Sequence, residues 1–113
     1  MDDSQFRPEF AQQVHALRQR ILKKTIDAIR KSKPNRIILI DYPGFNLRLA
    51  KKIKSLGIPI TYFILPQAWA WKEGRVKDIK NLVDQPISIF PFEVEWFKSK
   101  NLDVIYAGHP FMD

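Results

Sequence analysis

The stretch Ile37-Ile38-Leu39-Ile40-Asp41-Tyr42-Pro43-Gly44-Phe45-Asn46 decides the fold. The run from Arg36 to Asp41 is compact and β-branched with no polar alternation, the pattern of a strand covered on both faces. It stops at a carboxylate, turns through Pro43-Gly44 and passes to a helix at Asn46, a residue type suited to capping. Ligands of open parallel sheets bind outside the carboxyl ends of the strands, so Asp41 stands where a substrate group would be met. The same carboxylate has a structural alternative, bracing the Pro-Gly turn.

Outward from this point the pattern repeats. Asn46 opens a helix with Leu49, Ala50, Ile53 and Leu56 on one face and basic residues pointing away, and Gly57 stops it. Strands are predicted over 60–65, 87–90 and 104–107, and helices over 72–83 and 93–100. Upstream, Phe10, Val14, Leu17, Ile21, Leu22, Ile26 and Ile29 recur at helical spacing over 9–32, until Pro34 ends the segment. Strands and helices alternating through short connections predict an α/β fold with a parallel sheet of about four strands. Right-handed crossovers then gather the strand tips at Asp41, Leu65-Pro66, Phe90-Pro91 and Ala107-Gly108 on one edge. No strand precedes the first helix and no glycine-rich phosphate loop occurs, which reads as part of a longer protein.

The chain has 113 residues, 45% of them hydrophobic and 27% charged, with no cysteine. That is the balance of a globular protein, with neither a disulfide framework nor a thiolate metal site. Its N-terminus lacks the charged and apolar regions of a signal peptide. The formal net charge is +7. Arg48, Lys51, Lys52, Lys54, Lys72, Arg75, Lys77 and Lys80, set against Glu73 and Asp78, place most of it between Asn46 and Lys80. Such a patch attracts phosphates of nucleic acid, lipid or a phosphorylated substrate, unless it is only a solvated helix face. Residues 55–71 carry no charge, but they are fewer than the ~20 that span a bilayer and include Gly57, Pro59 and Pro66.

Three further motifs fall at strand tips. Trp69 and Trp71 lie two residues apart, and indoles suit sugar faces, acyl chains and membrane interfaces, or pack beneath the next helix. Arg75 follows with a donor fork suited to phosphate. Pro91-Phe92-Glu93 and Gly108-His109-Pro110 complete the set. His109 has the chemistry to donate to phosphate or shuttle a proton. Neither a hydrolase triad nor a zinc site is assembled: no nucleophile accompanies His109, and His15 has no second ligand at metal spacing.

In order, Ile-Asp-Tyr-Pro-Gly-Phe-Asn-Leu-Arg-Leu-Ala-Lys (40–51), Pro-Gln-Ala-Trp-Ala-Trp-Lys-Glu-Gly-Arg-Val-Lys (66–77), Pro-Phe-Glu (91–93) and Gly-His-Pro (108–110) closely resemble the lipid-A-disaccharide synthase family. Two positions depart from the family pattern: Gly44 stands where a second Asp is frequent, and Leu65-Pro66-Gln67 where Ser-Pro-Ser is. The resemblance implies an incomplete Rossmann-like lobe of a two-lobed, B-type inverting glycosyltransferase. Residues 1–113 would form part of the N-terminal, acceptor-side lobe, with the nucleotide-binding C-terminal lobe absent. It further implies condensation of UDP-diacylglucosamine with diacylglucosamine 1-phosphate, releasing UDP, at the cytoplasmic surface of a Gram-negative inner membrane and without a cofactor. Asp41 would be catalytic, and Asn46, Trp69, Trp71, Arg75, Glu93 and His109 would bind substrate. The isolated chain is expected to be inactive. The competing class is a nucleic-acid-binding module, because aromatics interleaved with Lys and Arg also serve single-strand binders.

Overall fold

A computed structural model describes residues 8–67 and 74–108. The chain divides into two compact units, Met1–Lys33 and Pro34–Asp113. The first contains helix α1 (Pro8–Ser32), with Glu9 in its first turn and Arg30 and Lys31 in its last, charges that suit the helix dipole at both ends. Lys33 turns left-handed at φ 48° and Pro34 follows, which ends the helix.

The second unit alternates β1 (Ile37–Ile40), α2 (Pro43–Ile53), β2 (Ile60–Phe63), α3 (Gly74–Leu82), β3 (Gln85–Ser88), α4 (Pro91–Ser99) and β4 (Ile105–Tyr106). The four strands pair in parallel in the order β1-β2-β3-β4. This is the expected α/β architecture, with the strand tips on one edge. Crossovers of one hand between successive neighbours also put α2, α3 and α4 on the same face of the sheet.

That topology corrects the expectation that β1 is covered on both faces. Register aligns Leu39 with Tyr62 and Pro86, and all three are buried. The opposite face carries the row Ile40, Phe63, Ile87, Ile105. There Ile38 and Ile40 are 62% and 56% exposed. An apolar run without alternation shows what a strand can bury, not what covers it.

The helical side of the core holds Ile53 of α2, Ile79 of α3 and Phe97 of α4, each at most 1% exposed. Burying side chains of this size contributes about 1.5–3 kcal/mol apiece. α2 begins at Pro43, three residues earlier than predicted, because proline is pre-set for the first helical position and loses nothing by lacking an N–H there. It tightens into a 3₁₀ turn over Lys54–Leu56 and stops at Gly57, whose φ of 71° places it in the left-handed region. β3 starts at Gln85, earlier than predicted, and includes Pro86. Proline is accommodated because β4 pairs only with Ile87 and Ser88, leaving no ladder bond for the missing N–H.

Two seams hold the unit together. Lys54 Nζ donates to Asn81 O at 2.8 Å near the end of α3, and Lys51 pairs with Asp78 at 3.4 Å, so α2 and α3 are tied side by side. At the opposite edge of the sheet from the tips, Arg36 Nη1 donates to Thr61 Oγ1, which donates to Gln85 Oε1. Among the described residues no helix is long and apolar enough to cross a membrane.

Candidate active site at the strand tips

The turn from β1 to α2 is built around the backbone of Asp41. Its N–H continues the sheet by donating to Phe63 O at 3.0 Å. Its carbonyl oxygen accepts from Asn46 Nδ2 and from Tyr62 Oη, both at 2.7 Å. Asn46 Nδ2 also reaches Ile40 O at 3.2 Å. These bonds correct the role expected for Asn46: it is not the cap of α2 but lies inside its first turn and reaches back to the strand end. The capping position belongs to Tyr42, whose side chain makes no capping bond.

This turn stores strain. Asp41 and Tyr42 have φ of 48° and 50°, and Ile64, at the tip of the neighbouring strand, has 61°. Side chains at such angles cost of order 1–3 kcal/mol each, and the cost is sustained only where surrounding contacts impose the geometry. Here the hydrogen bonds from Tyr62 and Asn46 impose it. The result is an exposed Asp41 on a backbone fixed from beneath.

Tyr62 is fully buried. Burial pushes its phenol far above the ordinary tyrosine range; the Asn46 side-chain hydrogen bond pulls it down, the Asp41 carboxylate pushes it up, and the Arg75 guanidinium pulls it down. The hydroxyl therefore stays protonated and available as a donor. Its surroundings place Asp41, Asn46 and Arg75 around one phenol. Asp41 and Asn46 come from the first strand tip, and Arg75 from the start of α3.

Beside this cluster opens a cleft of about 540 Å3. Pro43, Gly44, Arg48 and Lys51 of α2 line one side, and Arg75 and Asp78 of α3 the other. The first turn of α2 faces it and carries no acidic residue, and the backbone N–H groups at such an end favour anions. Among the described residues no cluster of three metal-ligating side chains occurs.

A family profile described as lipid-A-disaccharide synthetase matches residues 9–113, and with it the whole strand-tip edge. The chain belongs to this family. It is 45% identical over 93 residues to the lipid-A-disaccharide synthase of Myxococcus xanthus, covering 82% of this chain and 24% of that protein. The enzyme of Trichlorobacter lovleyi is 52% identical over 80 residues, covering 71% of this chain and 21% of its own length. That of Syntrophus aciditrophicus is 47% identical over 92 residues, covering 81% and 23%. The chain thus spans about a quarter of the length of these relatives. These names give no support to the nucleic-acid-binding alternative.

Within this synthetase-family segment the third strand tip differs in character from the first. Glu93, in the first turn of α4, is 1% exposed and accepts a hydrogen bond from the buried Ser88 Oγ. Ser88 Oγ also contacts Phe90 O and accepts from Phe90 N at 3.0 Å, so the pair braces the turn between β3 and α4. Glu93 is thereby set apart from the exposed Asp41 and the half-buried Arg75. Trp69, Trp71 and His109 lie outside the described residues; Gly108 ends the fourth tip with φ of 86°.

Sequence reasoning missed Tyr62 altogether, hidden in the apolar run Ile-Thr-Tyr-Phe-Ile-Leu. The available signal was chemical: a tyrosine in a buried strand must satisfy its hydroxyl, and a strand end offers carbonyl acceptors.

Proposed function

We propose that this chain supplies the acceptor-side, strand-tip part of a glycosyltransferase that makes the lipid A disaccharide. The reading is carried by one observation: an exposed carboxylate, Asp41, stands at the tip of a parallel strand with its backbone fixed by Tyr62 and Asn46 and with Arg75 nearby. Family membership supports the same chemistry, in which UDP-diacylglucosamine and diacylglucosamine 1-phosphate are joined and UDP leaves.

In such an inverting transfer the acceptor hydroxyl attacks the anomeric carbon as the bond to the UDP oxygen breaks, and the hydroxyl proton must be removed. Asp41 takes that proton or orients the hydroxyl, a role that contributes typically 10²–10⁴-fold to rate. Arg75 and the basic face of α3 hold the acceptor phosphate or meet the anionic surface of the inner membrane. Trp69, Trp71 and His109 complete the acceptor surface in this proposal. Glu93 supports it from beneath through Ser88. The nucleotide is held by the remainder of the longer protein, as the C-terminal lobe of the B-type architecture.

The test is a chimera in which this chain replaces the matching segment of the Myxococcus xanthus relative. The chimera is expected to form disaccharide and release UDP, whereas the 113-residue chain alone gives no turnover. The isolated chain should also be retained on phosphorylated glycolipid in preference to oligonucleotide. A folded chimera without transfer, together with steeply salt-dependent oligonucleotide binding by the chain, would reverse the conclusion.

A further inference from the structure

Along the seam between α2 and α3 the basic residues divide into two groups. At the far end Lys54 is spent on the carbonyl of Asn81. Lys51 sits midway, half committed to Asp78 at 3.4 Å with its side chain still 57% exposed. Toward the strand tips Arg48 and Arg75 face the cleft from opposite walls, and among the described residues neither forms an ion pair. The recess thus presents three cations against one carboxylate, on a scaffold fixed by the two cross-helix ties.

We infer that this cleft is a binding site for a phosphate monoester, held by Arg48 and Arg75 with Lys51 as the third cation. Guanidinium groups on two walls suit a tetrahedral group with several acceptor oxygens, which two forks can grip from different sides. The first turn of α2 adds backbone N–H groups at the same cleft. Its cations stand on two walls rather than in a row, which suits a terminal phosphate better than the face of a bilayer or the rail of a nucleic acid. Asp78 tunes the site: it holds Lys51 in place and limits the net charge, so affinity is moderate and the ligand can leave. That the phosphate belongs to a glycolipid acceptor rests on the proposed transferase function; the site itself does not.

The test uses the 15N-labelled full chain, titrated with glucosamine 1-phosphate, with inorganic phosphate, and with phosphatidylcholine vesicles with and without phosphatidylglycerol. Glucosamine 1-phosphate is expected to shift the resonances of Gly44, Arg48, Lys51 and Arg75. Arg48→Gln and Arg75→Gln should each weaken it by about tenfold, the scale of one lost charge-assisted contact. Asp78→Asn should instead tighten binding by a few-fold while the fold persists, because Lys54 still ties α2 to α3 and a partly exposed ion pair adds little to stability. Gly44→Leu should block the cleft without harm to α2, since a Cβ there meets nothing within 4 Å. Equal affinity for inorganic phosphate assigns a bare phosphate site, and tighter binding of the sugar phosphate assigns a sugar-linked source; either supports the inference. Shifts confined to other residues, indifference to Asp78→Asn and Gly44→Leu in folded protein, or a response to anionic vesicles alone would overturn it. Transfer by the chimera reports on the transferase reading separately: loss of transfer with glucosamine 1-phosphate binding intact overturns that reading and leaves this site standing.

Discussion

The buried phenol of Tyr62 donates to the carbonyl oxygen of Asp41 at 2.7 Å, so the second strand holds the backbone of the residue that ends the first. The bond joins neighbouring strands beyond the last register pair, Ile40 with Phe63. It leaves the Asp41 side chain free of the task of holding its own turn. Tyr62→Phe should cost about 1 kcal/mol, the usual net value of one intramolecular hydrogen bond, because Asn46 still reaches the same oxygen. Urea denaturation at neutral pH measures it.

The same residue makes stability fall in alkali. Tyr62 keeps its proton in the folded chain to a higher pH than in the unfolded chain, chiefly through burial. Its contribution is complete below the unfolded tyrosine value near 10, and it declines above that because only the unfolded state ionises, at about 1.4 kcal/mol per pH unit. Denaturation curves from pH 8 to 11 should therefore show an alkaline loss that Tyr62→Phe reduces. Identical slopes for the two proteins would show that the phenol is not held as described.

Asn46 should tolerate a carboxylate worse than it tolerates truncation. Asn46→Ala removes donors from Ile40 O and Asp41 O and should cost about 1–2 kcal/mol. Asn46→Asp sets a negative oxygen against those carbonyls, and this outweighs the few tenths to 1 kcal/mol that an acid gains in a first helical turn. Thermal melts of the two variants give the order.

Tyr42 is 70% exposed and left-handed, so its ring contributes little packing to offset its backbone strain. Asparagine enters that region more readily and is a better residue at a helix start. Tyr42→Asn is expected to raise stability by about 1 kcal/mol, read as an upward shift of the melting temperature.

Glu93 separates bracing from binding. Glu93→Ala takes one acceptor from the buried Ser88 hydroxyl, leaving it Phe90 O, and should cost about 1 kcal/mol, whereas Glu93→Gln keeps an acceptor and should cost less. In the chimera, Glu93→Gln should alter acceptor affinity little. A large rise in acceptor KM without loss of stability would return Glu93 to direct substrate contact.

The sheet, its parallel sense and the gathering of its tips on one edge were readable because period and punctuation act locally: Ile37–Ile40 is too apolar for a surface loop, and Gly57 and Pro34 stop helices by their own geometry. The half-exposed row Ile40, Phe63, Ile87, Ile105 was not readable, since coverage depends on which face the crossovers choose. Asp41 was legible from its position, as was Arg75 from its charge. Tyr62 and the reach of Asn46 were not, because their partners are backbone carbonyls that carry no sequence signature.

The most direct test is the steady-state kinetics of Asp41→Asn in the chimera, with acceptor affinity measured separately. Asparagine keeps the size and left-handed tolerance of the residue, so the turn held by Tyr62 and Asn46 should persist. The account predicts that kcat falls by about 10²-fold or more, the scale of a lost general base, with little change in acceptor affinity. A folded variant that keeps kcat within about threefold, with normal acceptor affinity, would contradict it, since the differential interaction with the transition state would then lie elsewhere.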